Sequence, residues 1–288
     1  MKISEILKQD KVTLSFEVFP PKTSDAFASV EKAIAEIAQL KPDFMSVTYG
    51  AGGGTSAHTV QIASNVFHNY GVTPLAHLTC VSSTKEHVHR VLGELKEHNI
   101  ENILALRGDI PADGLDEAAI EYRHAADLIH DIKQHGDFCI GGACYPDGHT
   151  ESTNKEEDIR YLKEKVDAGC EFLTTQMFFD NNIFYNFLYR IREQGITVPV
   201  IAGIMPVTNG KQISRICQLS GTYLPVRFKA IVDRFGDNPK AMKQAGIAYA
   251  TDQIIDLVAN GVRHIHVYSM NKPEVAAGIQ ANLSEIIK

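Results

Sequence analysis

The chain has no tryptophan and no C-x-x-C pair, and no apolar run approaches the roughly 20 residues that a membrane-spanning helix needs. Its cysteines are an odd set (Cys80, Cys139, Cys144, Cys170 and Cys217), four of them in apolar surroundings. That pattern speaks against a disulfide framework and against a zinc site, and for reduced structural thiols. An excess of basic charge is also missing. Lys and Arg total 28 against 35 Asp and Glu, for a net charge of -7, and the cations are scattered, which argues against nucleic acid as the main partner. The start from Met1 to Lys11 is polar and mixed in charge, unlike a signal peptide, so a cytoplasmic location is expected. Finally, G-x-G-x-x-G does not follow the first strand. The glycine run Gly50-Ala51-Gly52-Gly53-Gly54 comes after the second strand, with Thr55 where the last glycine of that signature would stand.

What is present is a regular alternation of strand and helix patterns. In the stretch Val12 to Ser24, Val12, Leu14, Phe16 and Val18 share one parity and Thr13, Ser15 and Glu17 the other, as in a strand with one apolar and one polar face. Pro20 and Pro21 end it, Thr23 or Ser24 can cap the next helix, and Glu17 is left at the strand's carboxyl end. Further strands are predicted at 44–49, 73–79, 102–107, 138–145, 171–176, 197–204 and 263–268. The helices between them are predicted at 26–40, 56–69, from Thr84, 117–134, to Asp167, 181–194, 209–219 and 239–260, with a closing helix from Pro273. His87, His89 and His98 read as solvated helix residues, and Gly141 with Gly142 as a place where something approaches the backbone closely. A Pro225-led mixed segment, Gly221 to Asn238, lengthens the seventh crossover. Eight βα units of about 30 residues predict a (β/α)8 TIM barrel, one domain over residues 1–288, with this extra segment before strand eight.

In such a barrel the strands' carboxyl ends form the catalytic face. Here those ends carry Glu17, Thr48 and Tyr49, then His77 and Thr79, then Arg107 with Asp109, and further Tyr145 with His149, Gln176, and His266 with Tyr268. Each alone has a structural explanation, such as an ion pair of Arg107 with Asp109 or a satisfied core histidine at His77. Polar groups from seven strands converging on one face point to a ligand site. Only Glu17 and Asp109 are acidic and no paired His/Asp spacing appears there, so metal catalysis is disfavoured. No lysine is placed for Schiff-base chemistry. A flat polar heterocycle beside one carboxyl acid fits what remains.

The segments SFEVFPPKTS, SVTYGAGG, AHLTC, LALRGD, ACYPDGH, LKEKVDAG, TTQMFFD, IAGIMPV and VYSMN, in this order across nearly the whole chain, resemble the catalytic barrel of the methylenetetrahydrofolate reductase family. The resemblance implies a single FAD-binding (β/α)8 domain that reduces 5,10-methylenetetrahydrofolate to 5-methyltetrahydrofolate with NADH or NADPH, ping-pong, feeding methionine synthesis. It also implies roles for residues. Glu17 would be the general acid that protonates the folate, Asp109 would lie by the flavin and bind the pterin, and Gln176 would contact folate and nicotinamide. Cofactor contacts would come from Thr48, Tyr49, Ala51 and His77, from Arg107, Gly108 and Asp109, and from Ala125, Ala143, Tyr145, His149, Asp158 and Lys165. Arg107 and Lys165 would meet the flavin and pyrophosphate charge.

Three positions depart from the family pattern. His-Pro-Glu reads His149-Thr150-Glu151, a basic residue of some bacterial members is Glu164, and an arginine after the strand-eight asparagine is Lys272. Lys272 keeps a charge for the folate's glutamate tail without Arg's bidentate fork, which puts polyglutamate affinity in question. The resemblance is to the short bacterial type, for which inhibition by S-adenosylmethionine is not expected, and a homo-oligomer is. A flavin-free barrel lyase or aldolase and a catalytically silent barrel are the alternatives.

Overall fold

In a computed structural model, which describes residues 1–21, 27–49, 56–110, 114 and 120–287, eight parallel strands close into a barrel in sequence order. The strands are β1 (Thr13–Val18), β2 (Met45–Val47), β3 (Pro74–Thr79), β4 (Asn102–Leu106), β5 (Cys139–Cys144), β6 (Phe172–Thr175), β7 (Val200–Ile204) and β8 (His264–Val267). Each predicted strand is present, trimmed by one to three residues at its ends. Around them run α1 (Ile3–Ile6), α2 (Phe27–Ala38), α3 (Ser56–Tyr70), α4 (Lys85–Glu97), α5 (Ala125–His135), α6 (Lys155–Asp167), α7 (Asn181–Glu193), α8 (Gly210–Ser220), α9 (Val226–Phe235), α10 (Pro239–Ala259) and α11 (Pro273–Asn282). Short polar side chains start several of these helices. Thr84 accepts from the His87 amide, Asn154 from that of Glu157 and Asn238 from those of Lys240 and Ala241, each satisfying a donor the helix cannot.

The parity of β1 sorts its side chains as the sequence predicts. Leu14, Phe16 and Val18 pack outward in the main core with Ile34 and Ile37 of α2. The amino-terminal half of the lumen is filled by a separate apolar plug of Phe44, Leu75, Leu104, Phe172 and Ile201, and Ile3, Ile6 and Leu7 belong to the same cluster. The four residues of α1 therefore close one end of the barrel. Burying each of those three side chains contributes about 1.5–3 kcal/mol. Gly141 is what admits Phe172 to the lumen, because a Cβ there would meet its ring at 2.4 Å.

Two elements differ from the sequence reading. The helix expected from Glu117 begins at Ala125, and residues 120–124 are not helical. Its start is set by Asp127, whose carboxylate accepts from the Arg123 and His124 amides at 2.9 Å each. The mixed, Pro225-led segment Gly221–Asn238 holds a helix that the sequence reading did not give, α9, whose Phe228 packs on Phe179 and Tyr249 with ring centroids 5.0 and 4.2 Å apart. The predicted helix caps Thr23 and Ser24, the glycine run with Ala51, and the Pro111–Asp116 loop, apart from Gly114, lie outside the described residues. Among the described residues no helix is long and apolar enough to cross a membrane.

Candidate functional site

At the carboxyl ends of the strands the lumen opens into a cleft of about 1210 Å³. Glu17 reaches it from β1, where its register partner is Ser46 and its own carbonyl accepts from the Ser269 hydroxyl at 2.8 Å. Burial pushes its carboxyl up to about 7, and a hydrogen bond from Thr48 pulls the other way. Just past β8, the strand beside β1, Tyr268 donates over β7 to the Thr175 carbonyl at 2.5 Å. Burial, and next the Glu17 charge, holds that phenol well above its ordinary value. Gly203 makes this contact possible: a Cβ there would sit 2.3 Å from the Thr175 carbonyl oxygen and 2.6 Å from the Tyr268 hydroxyl.

Two histidines line the cleft floor, with opposite degrees of satisfaction. His266 is bracketed by Ser15 at Nδ1 (2.8 Å) and Ser46 at Nε2 (3.0 Å), and Ser15 also donates to the Ile265 carbonyl at 3.0 Å. Ser15 has a single proton, so it accepts from Nδ1–H, and Ser46 then donates to Nε2. Burial holds this neutral ring down at about 3. His77 is held at about 3 by burial as well, but among the described residues its Nε2 has no partner, and neither has the buried hydroxyl of Thr174. Buried polar atoms are normally paired, so these two are places for a ligand's hydrogen bonds.

The cationic side of the cleft comes from β4, β5 and α6. The Arg107 guanidinium holds Glu151 with two bonds of 2.6 Å, rather than pairing with Asp109. Lys165 donates to the Ala143 carbonyl at 2.6 Å, and burial lowers its pKa. Burial also raises Asp158 and pushes Tyr145 up to about 12, while His149 stands edge-on to the Tyr145 ring at 4.6 Å. Gly108 takes φ +89, which turns the chain so that the exposed Asp109 lies at the mouth.

Of the residues picked out from the sequence, Thr48, Tyr49, His77, Arg107, Gly108 and Asp109 all line this cleft with Glu17. So do Ala125, Ala143, Tyr145, His149, Asp158, Lys165 and Gln176. Gln176 accepts from the Met177 amide at 2.9 Å, which leaves its NH2 available as a donor. Lys272 does not line the cleft; it donates to Thr208 at 2.6 Å at the start of α11. Sequence reasoning missed Ser46 and Thr174, which also line the cleft and whose parity within β2 and β6 would have placed them inward. All three supposedly solvated histidines are engaged: His87 bonds the Tyr49 hydroxyl at 2.9 Å, His89 lies 3.0 Å from Asp131, and the exposed His98 bonds the Ser64 hydroxyl at 3.1 Å.

A family profile described as Methylenetetrahydrofolate reductase matches residues 2–284. A protein of Arabidopsis thaliana described as methylenetetrahydrofolate reductase (NADH) 1 is 35% identical over 299 residues, 99% of this chain and 50% of that protein. The chain thus spans about half the length of its plant relatives. The 5,10-methylenetetrahydrofolate reductase of Escherichia coli is 34% identical over 272 residues, 94% of this chain and 90% of that one. A solved structure of an uncharacterized protein from Clostridium thermocellum, which binds two copies of 5-methyl-5,6,7,8-tetrahydrofolic acid, superposes with a TM-score of 0.64. It covers 99% of both chains at 15% identity and bears on the fold alone. By the profile match and the bacterial relative, the chain belongs to the methylenetetrahydrofolate reductase family.

Proposed function

We propose that this chain reduces 5,10-methylenetetrahydrofolate to 5-methyltetrahydrofolate, with a pyridine nucleotide as reductant and FAD held in the cleft, in a ping-pong cycle that feeds methionine synthesis. The observation that carries this reading is Glu17: a buried carboxyl group raised to about 7, in a cleft whose two cations, Arg107 and Lys165, bond Glu151 and the Ala143 carbonyl rather than Glu17. A carboxylic acid that is half protonated near neutral pH is matched to giving a proton to a weakly basic ring nitrogen, the step that opens the methylene bridge of the folate. In this reading Asp109, at the mouth, and the Gln176 amide, which also lines the cleft, orient the pterin.

The residues present fit a flavin. The His77 Nε2 and Thr174 hydroxyl call for hydrogen bonds that none of the described residues supplies, and Arg107 and Lys165 offer the charge-assisted donors that a pyrophosphate or an electron-rich ring system takes. When bound, FAD supplies a two-electron carrier between nucleotide and folate. A single cleft that admits the two substrates in turn suits a ping-pong order. Lys272 is read as the charge that meets the folate's glutamate tail, although it lies outside the cleft and is bonded to Thr208. The name of the plant relatives favours NADH as the nucleotide, and five free cysteines suit a reducing cytoplasm. A homo-oligomer belongs to the same proposal.

Absorbance tests it. The purified protein should carry a flavin spectrum that NADH bleaches without oxygen and methylenetetrahydrofolate restores. A colourless protein, or a colour that neither substrate changes, would leave a barrel lyase or a silent barrel instead.

A further inference from the structure

Outside the cleft, α4 and α5 bring three metal-ligand side chains together. Asp131 and His135, one turn apart on α5, share a face, and His89 of α4 meets them. Ligand atoms of the three all lie within 4.8 Å of one another. His89 Nε2 is 3.2 Å and 3.0 Å from the two Asp131 carboxylate oxygens, and His135 Nδ1 is 3.3 Å from the nearer one. An ion with tetrahedral bonds of about 2.0–2.1 Å separates its ligand atoms by about 3.3 Å, so two edges of such a site are already at their bound length. The carboxylate is held in place by the buried Tyr122 hydroxyl, which donates to it, as outer partners orient metal-binding carboxylates. The two imidazoles lie with ring centroids 3.7 Å apart, and their side chains are 37% and 35% exposed, so an ion can reach them.

We propose that His89, Asp131 and His135 bind one divalent transition-metal ion, with water at the fourth position, and that the ion ties α4 to α5. Two imidazoles and one carboxylate select zinc, cobalt, nickel or copper over calcium or magnesium, which prefer oxygen alone. Neutral imidazoles can accept the ion by shifting their protons to the opposite ring nitrogens. His135 Nδ1 then gives up its 2.9 Å bond to the Asp131 carbonyl. The bare alternative is a hydrogen-bonded triad that holds no ion.

Calorimetric titration of the untagged, chelator-stripped holoprotein with zinc separates the two, with cobalt as a visible-band probe of coordination. The expected result is one tight equivalent per chain and tetrahedral cobalt bands. His89→Gln and His135→Gln, both at partly exposed positions, should each weaken zinc by at least about 100-fold and abolish the bands, and Tyr122→Phe should weaken it by about 10-fold. Circular dichroism of each variant checks that it is folded. A wild-type protein that takes up no tight equivalent would overturn the proposal. So would a folded His89→Gln/His135→Gln protein that binds zinc as the wild type does.

Discussion

The Arg107 guanidinium grips the Glu151 carboxylate through two parallel bonds of 2.6 Å, across the wall where a flavin's negative charge is proposed to rest. The pair is only partly sheltered, with Arg107 23% and Glu151 50% exposed, so it contributes little to stability on its own, about 0–1 kcal/mol. Its consequence is competition, since an anionic cofactor must share a guanidinium already occupied. Glu151→Gln should therefore tighten FAD binding several-fold, read by quenching of flavin fluorescence, whereas Arg107→Ala with Lys165→Ala should purify largely colourless. Weaker FAD binding in Glu151→Gln, or full yellow occupancy in the double variant, would take these residues out of the cofactor's reach.

Two glycines should respond oppositely to alanine. At Gly203 the added Cβ would meet the Thr175 carbonyl at 2.3 Å and the Tyr268 hydroxyl at 2.6 Å, so something in the packed lumen must move, at a cost of about 1–3 kcal/mol or more. At Gly93, inside α4, nothing lies within 4 Å of the new atom, and the better helix former should stabilise by about 0.5–1 kcal/mol. Urea denaturation midpoints of the two variants check the pair; a Gly203→Ala protein as stable as the wild type would contradict the lumen packing.

Glu17 should also leave its mark on stability against pH. Its carboxyl titrates near 4.5 when unfolded and about 7 when folded, so between those values the native state binds more protons than the unfolded one. Stability from this group is then highest below about 4.5, falls as pH rises through the window, and has been lost by about 8. Glu17→Gln keeps the shape and removes the charge. Thermal unfolding should show the variant more stable than the wild type at pH 8, with the gap closing toward pH 5. A gap that widens in acid would mean that the carboxylate is stabilised, not strained, in the native protein.

Much of the barrel and its cleft is legible in the amino-acid sequence, for a physical reason. Strand parity is a local property, so the inward Glu17 and outward Phe16 can be read from β1 alone, and the polar strand ends mark the cleft because packing does not call for them. What escapes such reading depends on distance along the chain. The role of α1 needs partners as remote as Ile201, and the Arg107–Glu151 pair and the bracketing of His266 by Ser15 and Ser46 join separate elements. The start of α5 is misplaced by its pattern because apolar residues run on ahead of it, whereas the Asp127 carboxylate decides where the helix begins. At the His89 cluster, the one-turn spacing of Asp131 and His135 is visible in the sequence, and their partner on α4 is not.

The central claim is that Glu17 serves one half of the reaction. Hydride transfer from a nucleotide to a flavin needs no acid, whereas opening the folate's methylene bridge needs a proton on nitrogen. Anaerobic stopped-flow of the Glu17→Gln holoprotein tests this most directly, following flavin absorbance in each half-reaction separately. The account predicts near-normal bleaching by NADH and recovery by methylenetetrahydrofolate slowed by about 10²–10⁴, the usual loss for a general acid. Equal slowing of both half-reactions, or a folate half-reaction as fast as the wild type's, would contradict it.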